Sequence, residues 1–491
     1  MARRSWRSFD FLLLGALFAL SGYGLTMIYS ATVNTLGLGN PVQRQLIFIL
    51  MGTVLLIAAA SVDYRLLDLL QHPFAILTPV VLALAHTALL LGVQAAQWKG
   101  VEPAPFAALL GPNLPVLALG AALVSVVFLA DRTWIEQQDL ALRRLGGVVL
   151  VVGATAVGVY LVSRLDPLRL QSLGPYFMPG GIAVAYLLDC LTLRFTDILR
   201  NPLYVLMLGL LGITLVVGKV AGGAQSWLGA GTVQPSEPAK VIVIVVLAKV
   251  LADREQQLER FSTVILSLAI VVVPVLLIYL QPDLGTALTL IPVWAAMMWL
   301  AGIRFRHLLI LVAGGIAALP LAWFGLQDYM RDRLTLFVNP AGDPDSYFNV
   351  HQALVSIGSG GWMGKGLTHG SQSQLHFLRV RHTDFIFAVT AEELGFLGAV
   401  AMLALIAFVL WRMLRIAQQS RDTFGRLIAG GVAAVVLFQS VVNVGMNVGL
   451  LPVTGIPLPF VSYGGSSIVT LLVGMGLVES VAMRHKKLEF D

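Results

Sequence analysis

The chain has 491 residues, 57% of them hydrophobic and only 12% charged. Soluble domains carry about 25% charged residues, so the composition excludes a soluble globular protein and indicates one that crosses a membrane repeatedly. The net charge of +6 is accounted for by loops on one membrane side and gives no sign of nucleic-acid binding. The lone Cys190 excludes an intrachain disulfide.

Apolar windows of about 20 residues are long enough to span a bilayer as helix. Fourteen are predicted, at 11–30, 43–61, 73–92, 114–130, 145–163, 176–193, 202–220, 237–252, 262–280, 284–302, 307–325, 385–410, 427–449 and 461–483. The first follows MARRSWR and lacks a small-residue cleavage site, so it is read as a retained helix. With the N-terminus inside, 21 of the 32 Lys and Arg residues fall on one side, which places both termini in the cytoplasm by the positive-inside rule. The expected fold is therefore all-α, a polytopic membrane bundle with one long polar connection, 326–384, facing outward. Tyr347, Phe348, Trp362, Leu375, Phe377 and Leu378 give that connection apolar anchors and argue against disorder.

Four polar clusters interrupt the pattern, all on the expected outer side. In GGAQSWLGAGTVQPSEPAK, 222–240, Ser236 is placed to cap the next helix, and Glu237 and Lys240 lie three apart on one face. An ionisable residue at that depth costs about 1–3 kcal/mol unless it meets a partner or a cavity. Two readings stay open, a self-satisfied Glu–Lys pair and the wall of a polar cavity. In QPDLGTAL, 281–288, Asp283 suits a helix start, as a cap or as a site residue. The long connection ends at His382-Thr383-Asp384, an acid at the first turn of an apolar helix, with Arg379 and Arg381 beside it. Simple capping does not need that much charge. Glu392 and Glu393, deeper on the same helix, are read as buried structural acids. The fourth cluster, NVGMNVGLLPVTGIPLPFVSYGGSS at 443–467, is a broken helix. Such backbone survives at membrane depth only where it is buried in protein or lines a cavity.

In this order the clusters resemble the SEDS family of bacterial cell-wall polymerases (RodA/FtsW-type), and HGSQSQLHFL, 369–378, is nearer the RodA branch. The resemblance rests on Gln234-Pro235-Ser236-Glu237 with Lys240, Gln281-Pro282-Asp283-Leu284-Gly285, Asn339-Pro340, Gly364-Lys365-Gly366 and His382-Thr383-Asp384-Phe385. It continues through Glu392-Glu393-Leu394-Gly395 and Pro459-Phe460-Val461-Ser462-Tyr463-Gly464-Gly465, with Tyr29-Ser30 and Arg44-Gln45 near the start. A ten-helix family against fourteen expected helices implies a core at 1–65 and 201–485 and four inserted helices at 66–200. An even insertion leaves every later helix facing its usual way. Two departures concern charge. Gln225 and Ser226 stand where the family has basic residues before Trp227, and Leu378-Arg379-Val380-Arg381 replaces a Leu-Pro-Glu-x run.

The resemblance implies a peptidoglycan glycosyltransferase that polymerises lipid II, the undecaprenyl-pyrophosphate-linked disaccharide peptide, during cell-wall elongation. It would act at the outer face of the bacterial plasma membrane beside a class B penicillin-binding protein. Asp384 is the implied general base, a role worth about 10²–10⁴ in rate. The implied substrate-binding residues are Glu237, Lys240, Gln234, Ser236, Trp227, Asp283, Arg44, Lys365, Arg379, Arg381, His382, Thr383 and Ser462. Arg379 and Arg381 are expected to carry the positive field for the pyrophosphate, or else to touch anionic lipid headgroups. A divalent cation, Mg or Mn, held by oxygens and shared with substrate, is the one cofactor expected. No organic cofactor is expected. The competing readings are a non-catalytic scaffold or degenerate paralogue, which would tolerate loss of Asp384, and a precursor flippase. A flippase needs a polar path to both faces, and these clusters all lie on one.

Overall fold

The computed structural model describes residues 8–33, 40–69, 201–217, 219–221, 224–227, 234–304, 328–339, 344–375, 377–378 and 380–484, with parts of 306–317. The expected spans at 73–92, 114–130, 145–163 and 176–193, and hence nearly all of the expected insertion, lie outside the described residues, as does most of 307–325.

The elements in chain order are α1 (Phe11–Thr32), α2 (Pro41–Ser61), α3 (Pro202–Val217), β1 (Lys219–Ala221), β2 (Ala224–Trp227), α4 (Ser236–Asp253), α5 (Phe261–Leu280) and α6 (Leu284–Ala301). They continue with α7 (Asp328–Val338), α8 (Pro344–Ser359), α9 (Ile386–Gln419), α10 (Thr423–Asn447) and α11 (Gly465–Ala482). Among the described residues, seven of these, α1, α2, α5, α6, α9, α10 and α11, are long and apolar enough to cross a membrane. The chain is a multi-span helical membrane protein. The expected span 202–220 stops at Val217, because β1 and β2 form an antiparallel hairpin after it. The Gly222-Gly223 pair between them is a hairpin sequence that an apolar count passes over.

The described residues fall into two compact units. The first comprises Met1–Tyr64, Leu247–Phe261 and Leu284–Asp491, and the second Arg65–Val246 and Ser262–Asp283. In the second, the Tyr204 hydroxyl donates to the Ile270 carbonyl at 2.9 Å and the Gln281 amide to the Leu211 carbonyl at 2.9 Å, tying α3 to α5 and the turn that follows it.

The first unit is built around α10, whose Ala429, Gly430, Gly431 and Ala433 are all buried and let α6, α8, α9 and α11 pack on it. Without a hydrophobic driving force between helices in lipid, small residues that permit close backbone approach do much of this work. A Cβ on Gly430 would stand 2.1 Å from Leu300, and one on Gly476 of α11 would stand 2.4 Å from the Leu56 carbonyl of α2.

The long helix α9 is broken at Gly395 (φ 69°, ψ −166°). The break frees four backbone groups, and the segment 360–366 fills it. Lys365 and Gly366 N–H donate to the carbonyls of Glu392 and Glu393 at 3.0 and 2.9 Å, while Phe396 and Leu397 N–H donate to Gly361 and Trp362 at 2.8 and 3.2 Å. Irregular backbone is thereby satisfied inside protein, as the low-dielectric setting requires. The Gly-rich spelling follows from this contact. A Cβ on Gly360 would fall 1.8 Å from the Ala391 carbonyl, and one on Gly364 (φ +77°) 2.2 Å from the Glu393 carbonyl. The polar connection is ordered as α7, α8 and the turn Ser371–Gln374, and it is anchored where Ala353 and Leu378 pack with Phe385 and Ala388.

This packing makes a direct prediction. Gly360→Ala and Gly364→Ala should each lower stability by about 1–3 kcal/mol or more, the usual cost of overpacking. Gly358→Ala, where an added Cβ meets nothing within 4 Å, should be neutral or mildly stabilising. Thermal unfolding of the three purified variants checks this, and equal midpoints would contradict the threaded segment.

Candidate active site

Asp384 lies two residues before α9, and its backbone is gripped from two directions. Asn443 and Asn447, one turn apart on α10, both donate side-chain amide hydrogens to the Asp384 carbonyl, at 3.0 and 2.9 Å. Asn447 Oδ1 also accepts from Ala388 N–H at 3.1 Å, and Asn443 Nδ2 reaches the Ile456 carbonyl at 2.8 Å. From the other side, Ser462 Oγ donates to the Thr383 carbonyl at 2.6 Å and Tyr463 N–H to the His382 carbonyl at 3.0 Å. Gln45 fixes that second grip, donating to the Ser462 carbonyl at 3.3 Å and accepting from Gly464 N–H at 3.2 Å. All three carbonyls of the His-Thr-Asp run are thus held by side chains or loop backbone.

The Asp384 carboxylate is half-buried. Gly455 (φ +74°) runs beside it, with an added Cβ reaching 3.7 Å from Oδ2. Burial pushes the carboxyl pKa up to about 6, against the lowering effects of a hydrogen bond from Thr383 and the charge of Arg333. Arg333 comes from α7 and donates to the Val453 carbonyl at 3.3 Å. The His382 ring is tilted against Tyr463, centroids 5.5 Å apart, and burial together with the Arg381 charge lowers its pKa.

Arg381 is only 5% exposed and donates Nε to the Ala31 carbonyl in the last turn of α1. A guanidinium at a helix C-terminus satisfies an orphan carbonyl and meets the negative end of the dipole. Its cation is engaged with protein, which corrects the expectation that it might lie among lipid headgroups. Arg379 lies outside the described residues. Arg44, at the start of α2, is exposed. Ser462 is buried with its hydroxyl occupied by Thr383 O and Leu458 N–H, so it positions the turn.

Glu392 and Glu393 are fully buried and organise the segment before the site. Glu392 accepts from Lys365 Nζ at 2.9 Å and from Gln372 N–H at 2.9 Å. Glu393 accepts from Ser30, from Ser373 at 3.1 Å and from Gln374 at 3.4 Å. Lys365 therefore spends its charge on Glu392 and on Ser371, at 2.8 Å.

In the second unit, Lys240 and Glu237 form a buried ion pair at 2.8 Å, with side chains 2% and 4% exposed. Glu237 Oε2 has no hydrogen-bond partner. Ser236, expected to cap α4, instead donates to Asp283 at 3.4 Å, and Gln234 donates to the same Oδ2 at 2.8 Å. Trp227 ends β2, opposite Lys219. Gln234 and Ser236 thus converge on Asp283, and all of these residues belong to the second unit. Among the described residues no three of His, Cys, Asp and Glu converge to hold a metal ion.

Three features escaped the sequence reading. Asn443 and Asn447 share a helix face by their four-residue spacing, and Arg333 belongs to a polar connection already singled out. The partners of all three lie far away in sequence.

The profile of the family described as "Cell cycle protein", which groups FtsW, RodA and SpoVE, matches residues 122–487. The chain belongs to the SEDS family. Its match to that family begins inside the segment 66–200 and runs to the end of α11 and beyond. Peptidoglycan glycosyltransferase MrdB of Escherichia coli K12 is 41% identical over 290 residues, 58% of this SEDS chain and 78% of the relative. A probable peptidoglycan glycosyltransferase FtsW of Geobacter sulfurreducens is 35% identical over 374 residues, 72% of this chain and 97% of the relative. Among solved structures, a chain from a study of how a peptidoglycan synthase complex coordinates polymerization and crosslinking is 31% identical. Its TM-score is 0.51, over 75% of this chain and 97% of that one.

The raised pKa of Asp384 has a sign that stability can read. A carboxyl held at about 6 in the folded state and near 3.9 unfolded favours folding below pH 4, and that contribution is lost as pH rises through 6. Asp384→Asn should therefore be more stable than the parent by about 1–2 kcal/mol at pH 7.5, and the gain should vanish near pH 4. Thermal unfolding at both pH values checks it; a destabilised Asn variant at pH 7.5 would contradict the desolvated carboxylate.

Proposed function

We infer that this SEDS protein is a peptidoglycan glycosyltransferase that polymerises lipid II, with Asp384 as general base. One observation carries the reading: a half-buried carboxyl on a turn whose three carbonyls are all held, where burial pushes its pKa up to about 6. A base works best when its pKa lies close to the working pH and its position is set beforehand. The names of the relatives supply the reaction class, since both are peptidoglycan glycosyltransferases.

In the proposed reaction the acceptor sugar 4-hydroxyl attacks the anomeric carbon of the donor. Its proton passes to Asp384, the bond to the pyrophosphate breaks, and polyprenyl pyrophosphate leaves with the electron pair. Inversion in one displacement needs a single base, not the paired carboxylates of a glycosidase. Of the cations named in sequence, Lys240, Lys365 and Arg381 are committed to protein partners. Among the described residues Arg333, which also donates to the Val453 carbonyl, is exposed and its charge lowers the Asp384 pKa. We assign it the developing pyrophosphate charge, a role in which preorganised cations contribute most. The reaction is placed at the outer face of the plasma membrane, as the distribution of Lys and Arg favours, and a class B penicillin-binding protein is the proposed partner. A synthase complex as structural relative supports that pairing.

Two experiments on the protein purified with its transpeptidase test this reading. Asp384→Ala should reduce lipid II turnover by about 10²–10⁴ with the protein still folded; near-parental chain growth would leave the scaffold reading standing. In Arg333→Ala, removal of a nearby positive charge should raise the Asp384 pKa. The acid limb of turnover should then move to higher pH, in addition to any loss of rate. An unmoved or lowered limb would show that Arg333 does not face the base.

A further inference from the structure

At the opposite end of the first unit, where α1 begins and α9 and α11 finish, lies a cavity of about 420 Å³. We propose that it binds the phosphate-ester headgroup of a membrane lipid, with Arg415 as its cation. The volume falls within the usual range for small-molecule sites, about 300–1,000 Å³.

The charge balance singles out Arg415. Arg412, one turn earlier on α9, donates through Nε and Nη2 to Asp10, so its charge is offset inside the protein. Asp10 also caps α1, accepting from Leu13 N–H at 3.1 Å, and its own N–H goes to Glu479 at 3.0 Å. Both carboxylate oxygens of Asp10 are thereby occupied. Arg415 differs. It is exposed, lines the cavity, and has no carboxylate within ion-pair distance among the described residues. Its guanidinium sits 5.5 Å from the centroid of the Trp411 ring, a stacking that holds the plane while leaving its edge N–H groups free to pair with an oxyanion. Ser8 and Gln419 add neutral hydrogen-bonding groups to the lining.

The rest of the lining decides for a lipid over a soluble anion. Phe9, Phe11, Leu12 and Ile416 are apolar. The apolar wall continues outward, since Phe11 and Leu12 are 66% and 63% exposed on a helix that crosses the membrane. Trp411 and Leu414 extend it on α9. A cation at the rim of a polar cavity, with apolar helix faces leading away from it, matches a phosphate ester carrying acyl chains. A free phosphate ester would use the cation and ignore the walls.

The test uses the full chain in detergent and native mass spectrometry. The probes are phosphatidylglycerol, the diacylglycerol with the same chains, and glycerol 3-phosphate as competitor. The parent protein should retain phosphatidylglycerol and not diacylglycerol, and millimolar glycerol 3-phosphate should not displace it. Arg415→Ala should lower occupancy about fivefold, the weight of one cation near a membrane surface, and Arg415→Lys should recover most of it. Gln419→Trp, which fills the mouth without changing charge, should lower occupancy as well, while the exposed Arg421→Ala should not. The proposal is overturned if Arg415→Ala and Gln419→Trp retain parental occupancy, if diacylglycerol is held equally, or if glycerol 3-phosphate displaces the lipid. The last result would mark a site for a soluble phosphate ester.

Discussion

The carbonyl oxygen of Asp384 accepts two side-chain amides, and the arrangement of the first unit follows from keeping them there. An unmet buried acceptor costs about 1–3 kcal/mol, so the pairing is stabilising as well as directional. It requires α10 to present Asn443 and Asn447 at the depth where α9 begins. That in turn requires α10 to be closely surrounded, which its buried glycines and alanines allow. The same two asparagines reach Ile456 and Ala388, so one pair of amides joins the start of α9, the end of α10 and the irregular loop before α11.

A second constraint comes from the dielectric. The two adjacent glutamates on α9 are fully buried, and buried acids of this kind persist only when hydrogen-bonded or paired. Their partners come from the segment 365–374 and from Ser30. The break at Gly395 exposes backbone groups that the same segment fills. Side-chain and main-chain demands are therefore met by one stretch of chain, which is why so much of the long connection is ordered. The glutamates hold the segment 365–374 against α9, and Asp384, less buried than they are, has a raised pKa.

Much of this was legible in the residues. The apolar windows at 11–30, 43–61, 262–280 and 284–302 match α1, α2, α5 and α6 closely, because transmembrane length and hydropathy are local properties. Asp384 stood out as an acid at a helix start among surplus charges, and the structural role read for Glu392 and Glu393 agrees with their burial. What was illegible depends on distant partners. Arg381 and Arg333 look alike in sequence, yet one is buried against a carbonyl 350 residues away and the other is exposed with its charge acting on Asp384. The hairpin after α3 was hidden because its first residues continue the apolar run read at 202–220. The close contact of Gly360 and Gly364 with α9 was likewise not readable from their spacing, since their neighbours lie about 30 residues on.

The central claim is that Asp384 is a desolvated base poised near neutrality, and its own titration tests that most directly. Infrared difference spectra of the purified protein, recorded from pH 4 to pH 8 and compared with Asp384→Asn, isolate one carboxyl. A protonated carboxyl band is expected that disappears with a midpoint near pH 6 and is missing from the Asn variant. A midpoint near 4, the value of a solvated aspartate, would contradict it.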